Sequence, residues 1–348
     1  MIELSYRTVT LSLAEAFTIS RATSTDTAVV WVELRSNGAS GYGEAAPDER
    51  YDETPESAAA FLDDAGDVLG DDPFALEEIH ARLGERPGEL AAKAALDAAL
   101  HDLCGKLTGL PAWRLLGLRR AGPPTSWTVW LGDPDDMARR AERVDPRFRR
   151  LKLKLGGRDA LDVERVRAVR SVTRLPLTVD VNEYWELEEA IESVRALTEL
   201  GVEYVEQPLP AGDPGGFRLK REAALPIYVD EDCRTLADVP ACAARAHGVN
   251  IKLAKAGGIR EAVKMAASAR SLGLGVMLGC MLESGLGIAA GAQMASLCDH
   301  VDLDGNLLLA DDPWTGVELV QGVQLPADEP GLGVSRSAAR VETTAYER

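Results

Sequence analysis

Short apolar runs alternate with helical segments along the chain from Thr125 onwards. The runs are Ser126–Leu131, Arg150–Leu155, Leu175–Asn182, Val202–Pro208 and Leu225–Glu231, followed by runs that close near Lys252, at Gly279–Ser284 and at Val301–Gly305. Apolar strands separated by helices at such regular intervals are typical of a parallel sheet that closes into a (β/α) barrel. In a barrel, helices cover the outer face of each strand and the other face looks into the interior.

The first third of the chain has a different pattern. Strands are predicted over Glu3–Leu13 and Thr27–Ser36, followed by Gly41–Glu44 and a polar loop up to Thr54. Helices are predicted over Thr54–Leu69 and Glu89–Leu107, which carry apolar residues at helical spacing. This order indicates a small antiparallel sheet with helices, and the pair Pro123 and Pro124 marks the boundary to the barrel.

Composition excludes several classes of partner. The net charge of -18 argues against binding to nucleic acid, which depends on Lys and Arg. The five cysteines are scattered and form no Cys-x-x-Cys pair, so neither a disulfide framework nor a zinc site is expected. The N-terminus reads as a strand and no long apolar span follows, so we expect a cytoplasmic protein without a membrane partner.

The second barrel strand carries two lysines on one face. In Leu151–Leu155, Lys152 and Lys154 point one way and the leucines point the other. In a two-layer antiparallel sheet the lysines would face water, but inside a barrel two buried ammonium groups need a function. A further lysine, Lys252, ends the sixth strand across the barrel, whereas Lys255 lies past the strand end, where a loop or cap role is expected.

Carboxylates end the next three strands. The steps from Lys154 to Asp180, from Asp180 to Glu206 and from Glu206 to Asp230 are 26, 26 and 24 residues, close to one βα unit each. A single carboxylate at such a place is commonly a helix cap, but three on adjacent strands repel one another unless a cation neutralises them. Without His or Cys nearby, oxygen ligands of this kind favour Mg²⁺.

These residues resemble the enolase superfamily, specifically its muconate-lactonizing-enzyme subgroup. The resemblance rests on Lys152-x-Lys154, on Asp180, Glu206 and Asp230, on Ile251–Gly258, on the Ala-rich segment Ala95–Gly105 and on Pro330–Gly333. It implies an α/β fold, a modified (β/α)₇β TIM barrel over residues 123–321. It also implies an α+β capping domain built from residues 1–122 and the returning C-terminal segment 322–348.

The resemblance further implies a reaction. Asp180, Glu206 and Asp230 would hold one Mg²⁺, with Mn²⁺ left open, to stabilise an ene-diolate formed when a proton leaves the carbon next to a carboxylate. Lys154 and Lys252 would be the two bases on opposite sides, so that the α-carbon inverts.

The last strands and the capping loops point to the substrate. Asp302 and Asp304 look like the Asp-x-Asp of dipeptide epimerases, which binds the free α-ammonium group of the dipeptide. Arg21 resembles the arginine that pairs with the side-chain carboxylate in L-Ala-D/L-Glu epimerases. Lys152, Thr128 and Glu283 are expected in the same pocket. The expected partner is therefore a dipeptide of the Ala-Glu type.

Several alternatives stay open at this point. The substrate class could be another dipeptide, or the chemistry that of a cycloisomerase, an o-succinylbenzoate synthase or an N-acylamino acid racemase. The segment Gly285–Gly291 loosely resembles a dinucleotide loop, but its third glycine is late and helix packing explains it better. A non-catalytic barrel that binds a cationic ligand through Asp302 and Asp304 would leave Lys154 and Lys252 without a function. A homo-oligomer is possible.

Overall fold

A computed structural model describes residues 1–337 of the chain. The strands are β1 (Glu3–Thr18), β2 (Thr23–Ser36), β3 (Ala39–Ala45), β4 (Trp127–Val129), β5 (Leu151–Lys154), β6 (Leu177–Asp180), β7 (Val202–Glu206), β8 (Ile227–Val229), β9 (Gly248–Lys252), β10 (Gly275–Gly279), β11 (His300–Asp302), β12 (Trp314–Thr315), β13 (Val317–Val320), β14 (Val323–Pro326) and β15 (Ser335–Arg336). The helices are α1 (Pro55–Asp63), α2 (Gly66–Leu69), α3 (Leu76–Gly84), α4 (Leu90–Thr108), α5 (Ala112–Leu115), α6 (Pro134–Glu142), α7 (Asp162–Val172), α8 (Leu187–Glu199), α9 (Gly216–Glu222), α10 (Val239–Cys242), α11 (Leu253–Ala256), α12 (Ile259–Ser271) and α13 (Gly285–Ala292).

The N-terminal third forms an antiparallel sheet in the order β1-β2-β3. The segment Gly41–Glu44, for which no strand was predicted, belongs to β3. Its glycines have a packing reason, because a Cβ on Gly43 would lie 2.0 Å from the carbonyl oxygen of Ala95. Glycine in a strand here allows the backbone of helix α4 to approach closely.

The predicted helices are present with one division. Thr54 and Ser57 form a capping box at the start of α1, as the sequence indicated. The predicted helix Thr54–Leu69 is divided into α1 and α2, and α3 was not predicted. Helix α4 is buried over most of its length and packs between the antiparallel sheet and the barrel. Asp97 on α4 accepts a hydrogen bond of 2.6 Å from the backbone N–H of Ile259, at the start of α12.

Strands β4 to β11 form the predicted barrel. All neighbouring pairs are parallel and the strand order follows the chain. The barrel closes between its two ends through a parallel bridge from Thr125 to Val301. A 3₁₀ turn, Gly305–Leu308, follows β11 in place of an eighth covering helix. The fold class predicted from the sequence, a modified (β/α)₇β barrel with an α+β capping domain, is confirmed.

The C-terminal segment returns to the capping domain where the structure describes it. Gly331 pairs with Pro111, and the backbone N–H of Leu332 donates to the Asp102 carboxylate on α4 at 2.7 Å. Residues 338–348 lie outside the described residues. The domain boundaries after residues 122 and 321 stay a prediction. Among residues 1–337, no helix is long and apolar enough to cross a membrane.

Candidate active site

The predicted lysines and carboxylates meet at the carboxyl ends of the barrel strands. Lys154, Asp180 and Glu206 are the last residues of β5, β6 and β7, Asp230 follows β8 directly, and Lys252 ends β9. Register places Lys154 opposite Asp180 and Asp180 opposite Glu206. All five side chains are buried. They form one enclosed cluster of charges inside the rim of the barrel.

Lys152 lies at the centre of this cluster. Its Nζ is 3.0 Å from the carboxylate of Asp180, 2.7 Å from that of Glu206 and 2.8 Å from that of Asp302. Burial lowers the pKa of Lys152, but the surrounding carboxylates outweigh burial and raise this pKa well above its ordinary value. Lys152 is therefore a fixed positive charge that ties three strands together.

The two proposed bases contact different carboxylates. Lys154 Nζ donates to Asp180 Oδ2 at 2.7 Å, and Lys252 Nζ lies 2.9 Å from Asp230 Oδ2. In the strand order, Glu206 on β7 lies between these two carboxylates. Burial lowers the pKa of Lys252, but Asp230 outweighs burial and raises it well above its ordinary value. The two ammonium groups thus flank the carboxylate cluster from β5 and from β9.

Lys255 differs from its expectation. It does not lie in a loop or at a cap; it lies within α11 and is fully buried. Its Nζ donates to Asp230 Oδ1 at 2.5 Å and to the carbonyl oxygens of Asp230, Cys233 and Asn250 at 2.6, 3.0 and 3.1 Å. Every ammonium hydrogen therefore has an acceptor, which compensates for the burial of the charge.

The carboxylates keep oxygens that are not fully hydrogen-bonded. Glu206 Oε1 accepts from Asn250 Nδ2 at 2.7 Å. Glu206 Oε2 and Asp230 Oδ2 are buried and lack an aligned hydrogen bond, although lysine nitrogens lie 2.7 and 2.9 Å away. Burial raises the pKa of Glu206, and the neighbouring Asp180 raises it further. Buried carboxylate oxygens that lack an aligned hydrogen bond fit a divalent cation, which binds such oxygens directly.

The metal site itself stays a prediction. Among residues 1–337, no three Asp, Glu, His or Cys side chains already form a metal cage. Lysines 152, 154 and 252 make charge contacts with the three carboxylates. The residue types at this place are those that hold magnesium, and their oxygens converge on the same rim.

The Asp-x-Asp pair lies beside Lys152 and Thr128. Asp302 Oδ2 accepts from Lys152 Nζ at 2.8 Å, and Asp304 Oδ2 accepts from the backbone N–H of Thr128 at 2.6 Å. Burial and, to a smaller extent, the neighbouring Asp302 together raise the pKa of Asp304 to about 7. The free oxygen Asp302 Oδ1 is buried and lacks a hydrogen bond. This pair could accept hydrogen bonds from a cationic group.

Glu283 follows β10 and faces the same interior. Its Oε1 accepts from the backbone N–H of Met281 at 2.9 Å, and burial raises its pKa to about 7. The neighbouring Ser284 caps helix α13. The segment Gly285–Gly291, considered above as a dinucleotide loop, lies in that buried helix, and a Cβ on Gly287 would meet the carboxylates of Glu283 and Glu44. Helix packing therefore explains these glycines.

Arg21 lies in the loop between β1 and β2, at the mouth of the barrel. Its Nη1 is 3.1 Å from Glu231 and 3.7 Å from Glu183. Burial lowers the pKa of Arg21, but Glu231 and Asp180 outweigh burial and raise it above its ordinary value. Among the described residues both ion pairs use Nη1, so Nε and Nη2 keep their hydrogens for another acceptor.

Sequence reasoning missed four residues that complete this site. They are Lys255, Asn250, Glu231 and Glu183. Asn250 could have been found, because it lies two residues before Lys252 on the same strand and therefore shares its face. The other three lie in loops or in a one-turn helix, where no periodicity indicates their direction.

Comparison with known families finds two matching domains. Residues 1–117 match "Mandelate racemase / muconate lactonizing enzyme, N-terminal domain", and residues 136–339 match "Enolase C-terminal domain-like". The chain belongs to the mandelate racemase and muconate lactonizing enzyme family. Membership of this family within the enolase superfamily confirms the resemblance that the strand-end residues indicated.

Several relatives of the chain are named as dipeptide epimerases. An L-Ala-D/L-Glu epimerase from Bacteroides thetaiotaomicron is 39% identical over 94% of this chain and 86% of its own length. A hydrophobic dipeptide epimerase from a Flavobacteria bacterium is 35% identical over 95% of this chain and 97% of its own length.

The solved structure of a dipeptide epimerase from Enterococcus faecalis, with Mg and L-Leu-L-Tyr, superposes with a TM-score of 0.92 at 32% identity. The match covers 96% of this chain and 99% of that one. The chain of residues 1–348 is therefore an enzyme of the isomerase class. The prediction that it resembles dipeptide epimerases is confirmed.

Proposed function

We propose that the chain is a magnesium-dependent dipeptide epimerase that inverts the α-carbon of the C-terminal residue by transfer of a proton between two lysines. The observation that carries this proposal is the placement of Lys154 and Lys252 on the two flanks of one buried carboxylate cluster. A single base would return the proton to the face from which it came. Two amines on opposite flanks allow it to leave one face and return on the other.

Asp180, Glu206 and Asp230 would hold one Mg²⁺. Their buried oxygens without aligned hydrogen bonds, Glu206 Oε2 and Asp230 Oδ2, support this assignment. When bound, the ion would supply Lewis-acid stabilisation of the negative charge that builds up on the substrate carboxylate. Lys152 would add a fixed positive charge to the same side of the pocket.

The proton transfer can be written with the residues of this chain. The lysine that acts as base has to be neutral, which requires that Asp180 or Asp230 no longer holds its ammonium group. Its amine then takes the α-proton as the Cα–H bond breaks, and the ammonium of the other lysine donates a proton to the opposite face of the carbon. The next turnover in the reverse direction uses the same groups in exchanged roles. Asp302 and Asp304 would accept hydrogen bonds from the substrate's α-ammonium group, which selects a free N-terminus.

The C-terminal residue of the substrate is proposed to be glutamate. The guanidinium of Arg21, whose Nε and Nη2 take part in neither ion pair within residues 1–337, could bind a side-chain carboxylate through two parallel hydrogen bonds. The Bacteroides relative is named for Ala-Glu, whereas the Flavobacteria relative is named for hydrophobic dipeptides. Arg21 supports the first class, with Thr128 and Glu283 forming other parts of the pocket.

Exchange of the α-proton in D₂O tests the reaction. L-Ala-L-Glu and L-Ala-L-Leu are incubated with enzyme and Mg²⁺, and the α-proton signal and the diastereomer ratio are followed by NMR. We expect loss of the glutamate α-proton together with formation of L-Ala-D-Glu. Exchange without inversion would indicate a different proton-transfer reaction, and no exchange with either dipeptide would contradict the proposed activity on these substrates.

Variants of the two lysines test the division of roles. Lys154→Ala and Lys252→Ala should each abolish epimerisation, while each retains slow exchange of one diastereomer only. Retention of full epimerisation by either variant would refute the two-base proposal. Dialysis against a chelator should remove activity, and titration of Mg²⁺ into the chelated protein by calorimetry reports binding independently of turnover.

A further inference from the structure

The loop after β6 contacts two loops of the capping domain. The first capping loop is residues 19–22, between β1 and β2, and the second is residues 46–54, between β3 and α1. Asn182 and Glu183 have φ values of 47° and 71°, in the left-handed region that residues other than glycine rarely adopt. This backbone is held in place, since the N–H of Glu183 donates to the carbonyl oxygen of Gln207 at 2.9 Å. Unfavourable conformations of this kind persist where the surrounding structure enforces them, and they cluster at functional sites.

The side chain of Glu183 binds the second capping loop. Arg50, between β3 and α1, donates from Nε to Oε2 and from Nη2 to Oε1 of Glu183, both at 2.7 Å. The backbone N–H of Ala211 also donates to Oε1, at 2.9 Å. A bidentate pair with this geometry is among the stronger charged contacts in proteins. Glu183 keeps 12% of its side chain exposed, whereas Arg50 keeps 38%.

The first capping loop reaches the same place. Ser20 donates its hydroxyl hydrogen to the carbonyl oxygen of Asn182 at 3.0 Å. Arg21, the next residue, lies 3.7 Å from Glu183 and 3.1 Å from Glu231. Two loops that are separate in the chain therefore converge on one turn of the barrel, and the guanidinium of Arg21 lies between two barrel carboxylates.

We propose that Glu183 is a positioning residue for substrate specificity: it fastens the loop that carries Arg50 to the barrel and orients Arg21 for the substrate's C-terminal side chain. The second half of this inference rests on the proposed function of Arg21. Glu183 does not contact the reacting atoms in this scheme. Its effect is on the binding of the dipeptide and on the order of the two loops, with the proton transfer left to the lysines.

Charge balance gives the reason for a carboxylate here. Two guanidinium groups, Arg21 and Arg50, lie on the same carboxylate, and neutralisation of Glu183 would leave them near each other without a shared partner. Like charges repel, so both loops would loosen. In addition Arg50 would lose its bidentate contact, because an amide offers one acceptor atom in place of two.

Steady-state kinetics of Glu183→Gln test the proposal. We expect KM for L-Ala-L-Glu to rise about tenfold, the change that corresponds to about 1.4 kcal/mol. KM for L-Ala-L-Leu should rise less than threefold, and kcat for both should stay within a factor of two. A fall in kcat with unchanged KM would overturn the proposal. A lower KM for L-Ala-L-Glu would also overturn it. In that case the negative charge of Glu183 would only weaken the attraction between Arg21 and the substrate's carboxylate.

A double-mutant cycle with Arg50→Met tests the contact itself. If Glu183 acts through Arg50, the double variant should be no worse than the more affected single variant. Additive losses would overturn this part of the proposal. The matched control is Glu188→Gln, which neutralises an exposed carboxylate that pairs with Arg218 on the outer helices, away from the two loops.

Hydrogen–deuterium exchange separates this proposal from the proposed function. It is measured without substrate, so it does not depend on which dipeptide the enzyme accepts. Glu183→Gln should speed exchange in residues 19–22 and 46–54, and the Glu188→Gln control should not. Faster exchange in 46–54 alone would show that Glu183 does not hold the Arg21 loop. Unchanged exchange in both loops would overturn the proposal even if the enzyme is an epimerase.

Discussion

Removal of the Lys255 ammonium should destabilise the barrel more than removal of any proposed base. Lys255 is fully buried and donates to four oxygen atoms, among them the carboxylate of Asp230. In Lys255→Met a side chain of similar length fills the space, but Asp230 Oδ1 and three carbonyl oxygens each lose one hydrogen bond. The packing is largely kept, so the loss reports on the charge and its hydrogen bonds.

The expected magnitude follows from the contacts. Removing one partner of a buried ion pair costs about 3–5 kcal/mol. With an unfolding entropy of about 2.1 cal/mol/K per residue, a chain of 348 residues has about 0.7 kcal/mol/K in total. A loss of about 4 kcal/mol therefore lowers Tm by about 5–6 °C.

Differential scanning calorimetry of the metal-free protein measures this effect. The matched control is Lys252→Met, which removes a second ammonium group that contacts the Asp230 carboxylate. The Lys252 side chain faces the candidate active site, is 11% exposed and makes one ion pair of 2.9 Å. We expect a drop of about 2 °C or less for this control. If Lys255→Met melts within about 1 °C of the wild type, or no lower than the control, the reasoning about Lys255 is wrong.

Three further predictions concern specificity, pH and packing. Arg21→Glu should raise KM for L-Ala-L-Glu and spare L-Ala-L-Leu in steady-state kinetics, because it replaces the attracting charge by a repelling one. Burial lowers the pKa of His101, but the Asp97 carboxylate outweighs burial and raises it. The stabilisation by this pair is therefore full below the unfolded-state pKa of about 6.5 and is lost as the pH rises through the raised folded-state pKa. Urea unfolding should thus show a larger penalty for His101→Asn at about pH 6 than at about pH 9. Gly43→Ala should cost about 3 kcal/mol in thermal unfolding, since its methyl group would lie 2.0 Å from the carbonyl oxygen of Ala95.

Each of these predictions has an outcome that contradicts it. Equal losses on acidic and neutral dipeptides would show that Arg21 does not set specificity. A penalty for His101→Asn that stays constant with pH would show that the pair is not charged in the folded state. For Gly43→Ala the control is Gly66→Ala, where an added Cβ meets no atom within 4 Å. Similar costs for both variants would mean that β3 and α4 can separate without penalty.

The barrel and its charged rim could be predicted because both depend on regular spacing. A strand that is buried on both faces is read from its apolar residues, and a repeat of one βα unit brings successive strand ends together. Asp180 and Glu206 were expected side by side for this reason, and the structure pairs them in register. Arguments of this type need no knowledge of loop conformation.

The remaining parts of the site depend on conformations without periodicity. Lys255 was expected in a loop or a cap because it lies past β9, but a single helical turn directs it back to Asp230. Glu183 adopts a left-handed backbone conformation that its residue type does not favour, so the direction of its side chain could not be read from the sequence. Strand β3 was missed because glycines normally disfavour strands. Here they are required by close packing against helix α4, which lies far along the chain.

Helix α4 has a consequence for how this architecture can be divided. Fifteen of its nineteen residues are buried, so it presents little surface of its own to water. It covers the antiparallel sheet on one side, and through Asp97 and Asp102 it holds the start of α12 and the returning chain near Leu332. A fragment that ends before the barrel would expose helix α4 to water. A barrel expressed alone would lose the contacts that α4 makes with it. The capping domain and the barrel should therefore melt in a single transition. Recombination between relatives should succeed only when α4, the antiparallel sheet and the barrel segment that α4 contacts come from the same parent.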